Sequence, residues 1–169
     1  MLRMTRVTEN KMKKGASPRL FFLCYSAITV MEKVICYTGG GATGNPGPAA
    51  IGVYITDVVG SMMSEVGQTI GNSTAPFAAY QAVLVGLQTL KSLLGEACRT
   101  TDIVLSLDNA FVTQQLNDEV EIKEPGFVPM FIEIHNMRVS SFPHLTFALI
   151  PTEQNSEATR LVNEALSAT

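Results

Sequence analysis

Residues 102–108 read Asp-Ile-Val-Leu-Ser-Leu-Asp, an apolar run of strand length with almost no polar alternation. A strand with one wet face alternates apolar and polar side chains, so a near-continuous run calls for cover on both faces. A long apolar helical stretch, 77–94, precedes it and a short one, 109–117, follows it. Strand and helix alternating in this way point to an α/β sheet with helices on both faces, and away from a bundle or a β-sandwich.

The remaining segments fill in that frame. Lys33 to Thr38 is β-rich and ends at glycines; residues 50–57 form a second strand, Asp57 to Gly60 a hairpin turn, and 62–70 a third strand. Gly71 to Pro76 turns into the helix 77–94, with Ser73 or Thr74 as cap and Pro76 in the first turn. Ala78, Ala82, Val85 and Leu93 share one face of that helix, and Gly86 allows close packing. Pro125-Gly126 breaks the chain before a helix over 128–141; 145–150 is a last strand and 155–167 a closing helix capped by Asn155 or Ser156. The order β-β-β-α-β-α-α-β-α predicts a mixed five-stranded sheet in one domain, residues 31–169.

Charge separates the first thirty residues from the rest. Six basic residues against Glu9 give residues 1–30 a net +5, whereas six basic and fourteen acidic residues give 31–169 a net −8. An acidic body opposes phosphate binding. The apolar run Leu20 to Val30 is too short to span a bilayer, and no small-x-small cleavage site follows it, so 1–30 reads as a flexible extension. Cys24, Cys36 and Cys98 are odd in number and lack metal-ligand spacing, which fits free thiols in a reducing, cytoplasmic setting. No GxxxxGK[ST], HExxH, CxxC or GxSxG is present.

Four segments together resemble type 1 ribonuclease H. Tyr37 to Gly52, "YTGGGATGNPGPAAIG", is similar to that family's first strand and Gly-Asn-Pro-Gly-Pro turn. "NSTAPFAAYQAVLVGL" (72–87) resembles its first helix, "LSLDNAFVTQQLN" (105–117) its strand-four Asp and following helix, and "IPTEQNSEATRLVNEAL" (150–166) its last strand and helix. The resemblance spans residues 33–167 and implies the ribonuclease H-like fold. It also implies cleavage of the RNA strand of an RNA–DNA hybrid by two divalent ions held on four carboxylates.

Carried over residue by residue, those four positions are Gly39, Ala79, Asp108 and Thr159, so Asp108 alone keeps a carboxylate. The family's Asn-Asn pair before the first helix falls on Ala75-Pro76, its Ser after the strand-four Asp on Asn109, and its last-loop Arg on Thr152. Scaffold positions match: Gly44, Asn45, Pro46, Gly47, Pro48, Tyr80, Gly86 and Leu161. The expectation is an inactive or strongly impaired relative, with weak nucleic-acid contact through Gly40, Gly41, Thr43, Gly44 and Asn45. No cofactor is expected, and Mg²⁺ or Mn²⁺, held weakly at Asp108, only if activity remains. The residues leave two alternatives open: an active hybrid ribonuclease with ligands displaced to Glu153 and Glu157, or a non-enzymatic interaction protein. Read without the resemblance, Asp108 caps the helix beginning at Asn109, and Glu153, Glu157, His135 and His144 are ordinary surface or helix-face residues.

Overall fold

The computed structural model describes residues 33–168; the expected extension 1–30 and Cys24 lie outside them. Five strands and four α-helices follow one another among the described residues: β1 Lys33–Ala42, β2 Gly47–Asp57, β3 Met62–Ser73, α1 Ala75–Leu94, β4 Asp102–Leu107, α2 Ala110–Leu116, α3 Val128–Ser141, β5 Leu145–Leu149 and α4 Ser156–Ser167. Short 3₁₀ turns, Gly95–Arg99 and Thr152–Asn155, lead out of α1 and into α4. The sheet order is β3-β2-β1-β4-β5; β1, β2 and β3 form an antiparallel meander, and β4 and β5 run parallel to β1. This is the mixed α/β sheet that the segment order implies.

The glycines do not end β1. The strand continues through Gly39, Gly40 and Gly41 to Ala42, each paired with a residue of β2. β3 likewise runs on to Ser73, three residues past the expected 62–70. In both cases a partner strand supplies the backbone hydrogen bonds that local propensity disfavours. The β2–β3 turn forms where expected: Asp57 Oδ1 accepts from the Val59 and Ser61 amides at 3.0 and 2.8 Å, and Gly60 takes φ +86°.

The main core lies between the sheet and α1. Val34, Cys36, Val53, Ile55, Ile103, Leu105 and Leu107 from the strands meet Tyr80, Val83, Leu87 and Leu90, all fully or nearly fully buried. Each such aliphatic side chain contributes about 1.5–3 kcal/mol through removal from water. Leu93, expected on the inner face of this helix, is 41 % exposed; the face that packs runs through Leu87 and Leu90 instead. α1 starts at Ala75, where the Thr74 hydroxyl accepts from the Phe77 amide at 3.4 Å. The Tyr80 hydroxyl donates to Gln115 Oε1 at 2.8 Å, tying α1 to α2, and its ring stacks on Phe127.

α4 covers the opposite face over β1, β2 and β3. It does so on a row of glycines in register across those strands, Gly39 opposite Gly52 and Gly52 opposite Gly67. A Cβ on Gly52 would strike the Ala158 carbonyl oxygen and lie 3.0 Å from Leu161 Cβ, so the helix rests directly on strand backbone. On the side of β4 away from the main core Val104 is only half-buried, while Ser106 is 3 % exposed.

Candidate active site

Parallel pairing of β1 with β4 sets Thr38 opposite Leu107, so Gly39 and Asp108 are neighbours where β4 ends and β1 runs on beside β2. Both helices converge on this end. α1 crosses β1 at Gly40, where a Cβ would overlap the Ala78 carbonyl carbon and the Ala79 amide nitrogen and lie 2.6 Å from Ala78 O. α4 crosses on the other face, with Ala158 Cβ 3.4 Å from a Cβ built on Gly39. Position 79 is therefore one helix contact from Gly40, and position 159 follows Ala158. These contacts put Gly39, Ala79, Asp108 and Thr159 on elements that meet near the glycine stretch of β1 and the end of β4.

What those positions offer chemically is sparse. Asp108 is half-buried, and its carboxylate has no hydrogen-bond or ion-pair partner among the described residues. It does not cap α2 as expected. Asn109 is the N-cap residue, and its Oδ1 accepts from the Val112 amide at 3.1 Å. Ala79 is 4 % exposed and belongs to the apolar core; Thr159 is half-buried and offers one hydroxyl. Asn155, expected as a cap, makes no capping bond; it is wholly buried, and its Nδ2 donates to Thr38 O at 3.0 Å. Its Oδ1 is the one buried side-chain polar atom without a partner among the described residues.

The displaced-ligand candidates do not assemble either. Glu157 accepts from Arg160 Nε at 3.0 Å, and the same guanidinium holds Glu65 and Glu164. Those three carboxylates hold the Arg160 proton more firmly than usual. Glu153 is exposed on the 3₁₀ turn. His135 stacks on Phe131, and the His144 carbonyl joins the β4–β5 edge. Among the described residues no three His, Cys, Asp or Glu side chains lie close enough to hold a metal ion. Two divalent ions bring four positive charges that anionic oxygens must offset. One carboxylate does not fit that requirement.

The turn after β1 presents Thr43, Gly44 and Asn45 to solvent. The Thr43 amide and hydroxyl both donate to Pro48 O, at 2.8 and 3.3 Å, so the hydroxyl serves the turn itself. Gly40 and Gly41 are set back in the strand, half-buried beneath α1 and α4.

Comparison with known proteins agrees with this architecture. A family described as reverse transcriptase-like matches residues 38–165. The chain is 37 % identical to LC11-RNase H1, isolated from compost by a metagenomic approach; the match covers 82 % of this chain and 98 % of that one, with a TM-score of 0.78. The chain belongs to the type 1 ribonuclease H family. The ribonuclease H1 of Halobacterium salinarum is 28 % identical, with 81 % of this chain and 99 % of that one covered and a TM-score of 0.74. A bifunctional protein of Mycobacterium tuberculosis is 28 % identical over 137 residues, 80 % of this chain. The chain spans only 36 % of the length of that curated mycobacterial relative.

The sequence did not mark Gly52, Gly67 and the buried Asn155 as parts of the frame around these positions. A usable signal existed for the glycines, since each of three successive strands contains one or more of them.

Proposed function

We propose that this ribonuclease H-fold protein does not carry out two-metal hydrolysis and keeps at most weak contact with an RNA–DNA hybrid. The observation that carries the reading is the single carboxylate, Asp108, among the four family positions 39, 79, 108 and 159. Bringing the end of β4 and the glycine stretch of β1 to the heads of two helices is the scaffold's contribution. Chemistry there needs several anionic oxygens, and Gly39, Ala79 and Thr159 supply none. The surface left for nucleic acid is the exposed turn at Thr43, Gly44 and Asn45, whose amides and side chains reach a backbone without needing a metal. LC11-RNase H1 has been solved in complex with an RNA/DNA hybrid, which supports the choice of probe. With a body of net −8 and no cation on the turn at 43–45, affinity is expected to be low. Buried free thiols at Cys36 and Cys98 favour a reducing, cytoplasmic setting. No helix among the described residues is long and apolar enough to cross a membrane.

Metal titration tests the reading directly. A ligand that binds the native state raises the melting temperature with its concentration. Mg²⁺ and Mn²⁺ at millimolar levels are expected to leave the midpoint where an equal ionic strength of NaCl leaves it. A specific, saturable rise that Asp108→Asn removes would contradict it.

A further inference from the structure

A second concavity lies on the α4 face, two residues back along β1 from Gly39. It encloses about 230 Å³, and none of the four family positions lines it. Its walls are Tyr37 and Tyr54, cross-strand partners with ring centroids 6.5 Å apart and planes inclined at 45°. Beside them on the same sheet face is Thr56, two residues on from Tyr54. Gln154 and Ser156 rim the opening at the head of α4, and Glu157 stands beside them.

Three observations mark this as a recess made for a ligand. Thr56 is 4 % exposed and lines the cavity, yet its hydroxyl has no hydrogen-bond partner among the described residues. The hydroxyl itself is not fully enclosed by protein, so it is open to a partner from the cavity. The two phenol rings offer flat apolar surface with a polar edge, which suits a stacked ring. The rim mixes amide, hydroxyl and helix-head N–H groups, so donors and acceptors are both on hand.

Charge narrows the ligand. The lining contains no cation, and its single carboxylate, Glu157, is already paired with Arg160 at 3.0 Å. A phosphate would find no unpaired cation in the lining, and residues 31–169 carry a net −8. The volume falls below the roughly 300–1,000 Å³ of a drug-sized site, leaving room for one ring system.

We propose that the recess between Tyr37, Tyr54 and Thr56 and the head of α4 binds an uncharged nucleobase ring, stacked on the tyrosines and hydrogen-bonded to the Thr56 hydroxyl. The base comes either from a free nucleoside or from an unpaired nucleotide of a strand. Aromatic stacking of this kind tolerates every base, because each has a π-face. The proposal stands apart from the metal-site reading, since no residue is shared.

The test uses the full chain, with two-dimensional NMR and tyrosine emission as readouts; the chain has no Trp to obscure the latter. Adenosine, guanosine, cytidine and uridine are titrated to about 10 mM, a range that captures weak affinities. Saturable shifts at Tyr37, Tyr54 and Ser156 are expected for at least one nucleoside. Its 5′-monophosphate should bind no more tightly. Thr56→Val, matched in shape, should weaken binding roughly tenfold or more, the scale of one lost buried hydrogen bond. Should that variant fail to fold, Gln154→Ala and Ser156→Ala at the exposed rim decide the matter by the same weakening. A short single-stranded oligonucleotide that binds more tightly than the nucleoside, and loses binding in Thr56→Val, assigns the base to a strand. If all four nucleosides and the oligonucleotide fail to shift these residues, or binding is indifferent to the variants, the proposal is overturned.

Discussion

Adjacent glycines of β1 should respond in opposite ways to the same substitution. Gly40 faces α1, and a methyl there would overlap the Ala78 carbonyl carbon and Ala79 nitrogen and sit 2.6 Å from Ala78 O. Those are main-chain atoms inside a helix, so no side-chain rotation relieves the overlap. α1 would have to lift by about an ångström, and a gap of that size forfeits a quarter to a half of the dispersion well at each contact it opens. The contacts at risk are those of Tyr80, Val83 and Leu87 with the sheet. Overpacking alone costs about 1–3 kcal/mol, and a displaced helix adds to it, so Gly40→Ala is expected to lose about 3 kcal/mol or more. Gly39 faces α4, and its methyl would meet Ala158 Cβ at 3.4 Å and Asn155 Nδ2 at 3.6 Å, ordinary contacts. Gly39→Ala is expected to stay within about 1 kcal/mol of the parent, helped by reduced freedom of the unfolded chain. Urea unfolding of the two variants at equal m-value measures the difference. Equal destabilisation would refute the helix-contact account of this strand.

Further consequences follow from individual side chains. Burial pushes the Tyr80 hydroxyl up to about 12, above its unfolded value near 10. The native state thus keeps a proton that the unfolded chain releases. Its stabilising effect is complete below about pH 10 and is lost as pH rises toward 12, a decline that Tyr80→Phe should flatten in alkaline urea titrations. The same variant should lose about 1–3 kcal/mol at neutral pH by leaving the buried Gln115 oxygen unpaired. Asn109→Ala should cost about 1 kcal/mol of thermal stability as the cap of α2, while Asp108→Asn leaves the melting temperature unchanged. Burial raises the thiol pKa of Cys36 and Cys98, so both should resist a thiol reagent in the native state and react in urea; fast native labelling of either would contradict their burial.

The element order was legible because each long segment carried its own period, and the hairpin turn because Asp57 and Gly60 have one evident use. The course of β1 was not. Glycine has low strand propensity, and nothing local tells that β2 pairs with Gly39 to Ala42 and that two helices need their missing side chains. The cap of α2 was ambiguous because Asp108 and Asn109 are both good caps, and only backbone direction decides between them. Leu93 belongs to the apolar run but points away from the face, through Leu87, Leu90 and Leu94, that packs on the core. The four family positions came from the resemblance of four segments to type 1 ribonuclease H, and strand pairing sets two of them, Gly39 and Asp108, side by side. The recess beside Tyr37 was not legible, because Tyr54 and Thr56 become its neighbours only through strand register.

The central claim is that the ribonuclease H scaffold is intact and its metal site is vacated. Cleavage of an end-labelled RNA–DNA hybrid in Mg²⁺ and in Mn²⁺ tests it, with the chain as it stands beside one carrying Gly39→Asp, Ala79→Glu and Thr159→Asp. The account predicts products from the restored chain alone. Metal-dependent products from the unaltered chain, abolished by Asp108→Asn, would contradict it.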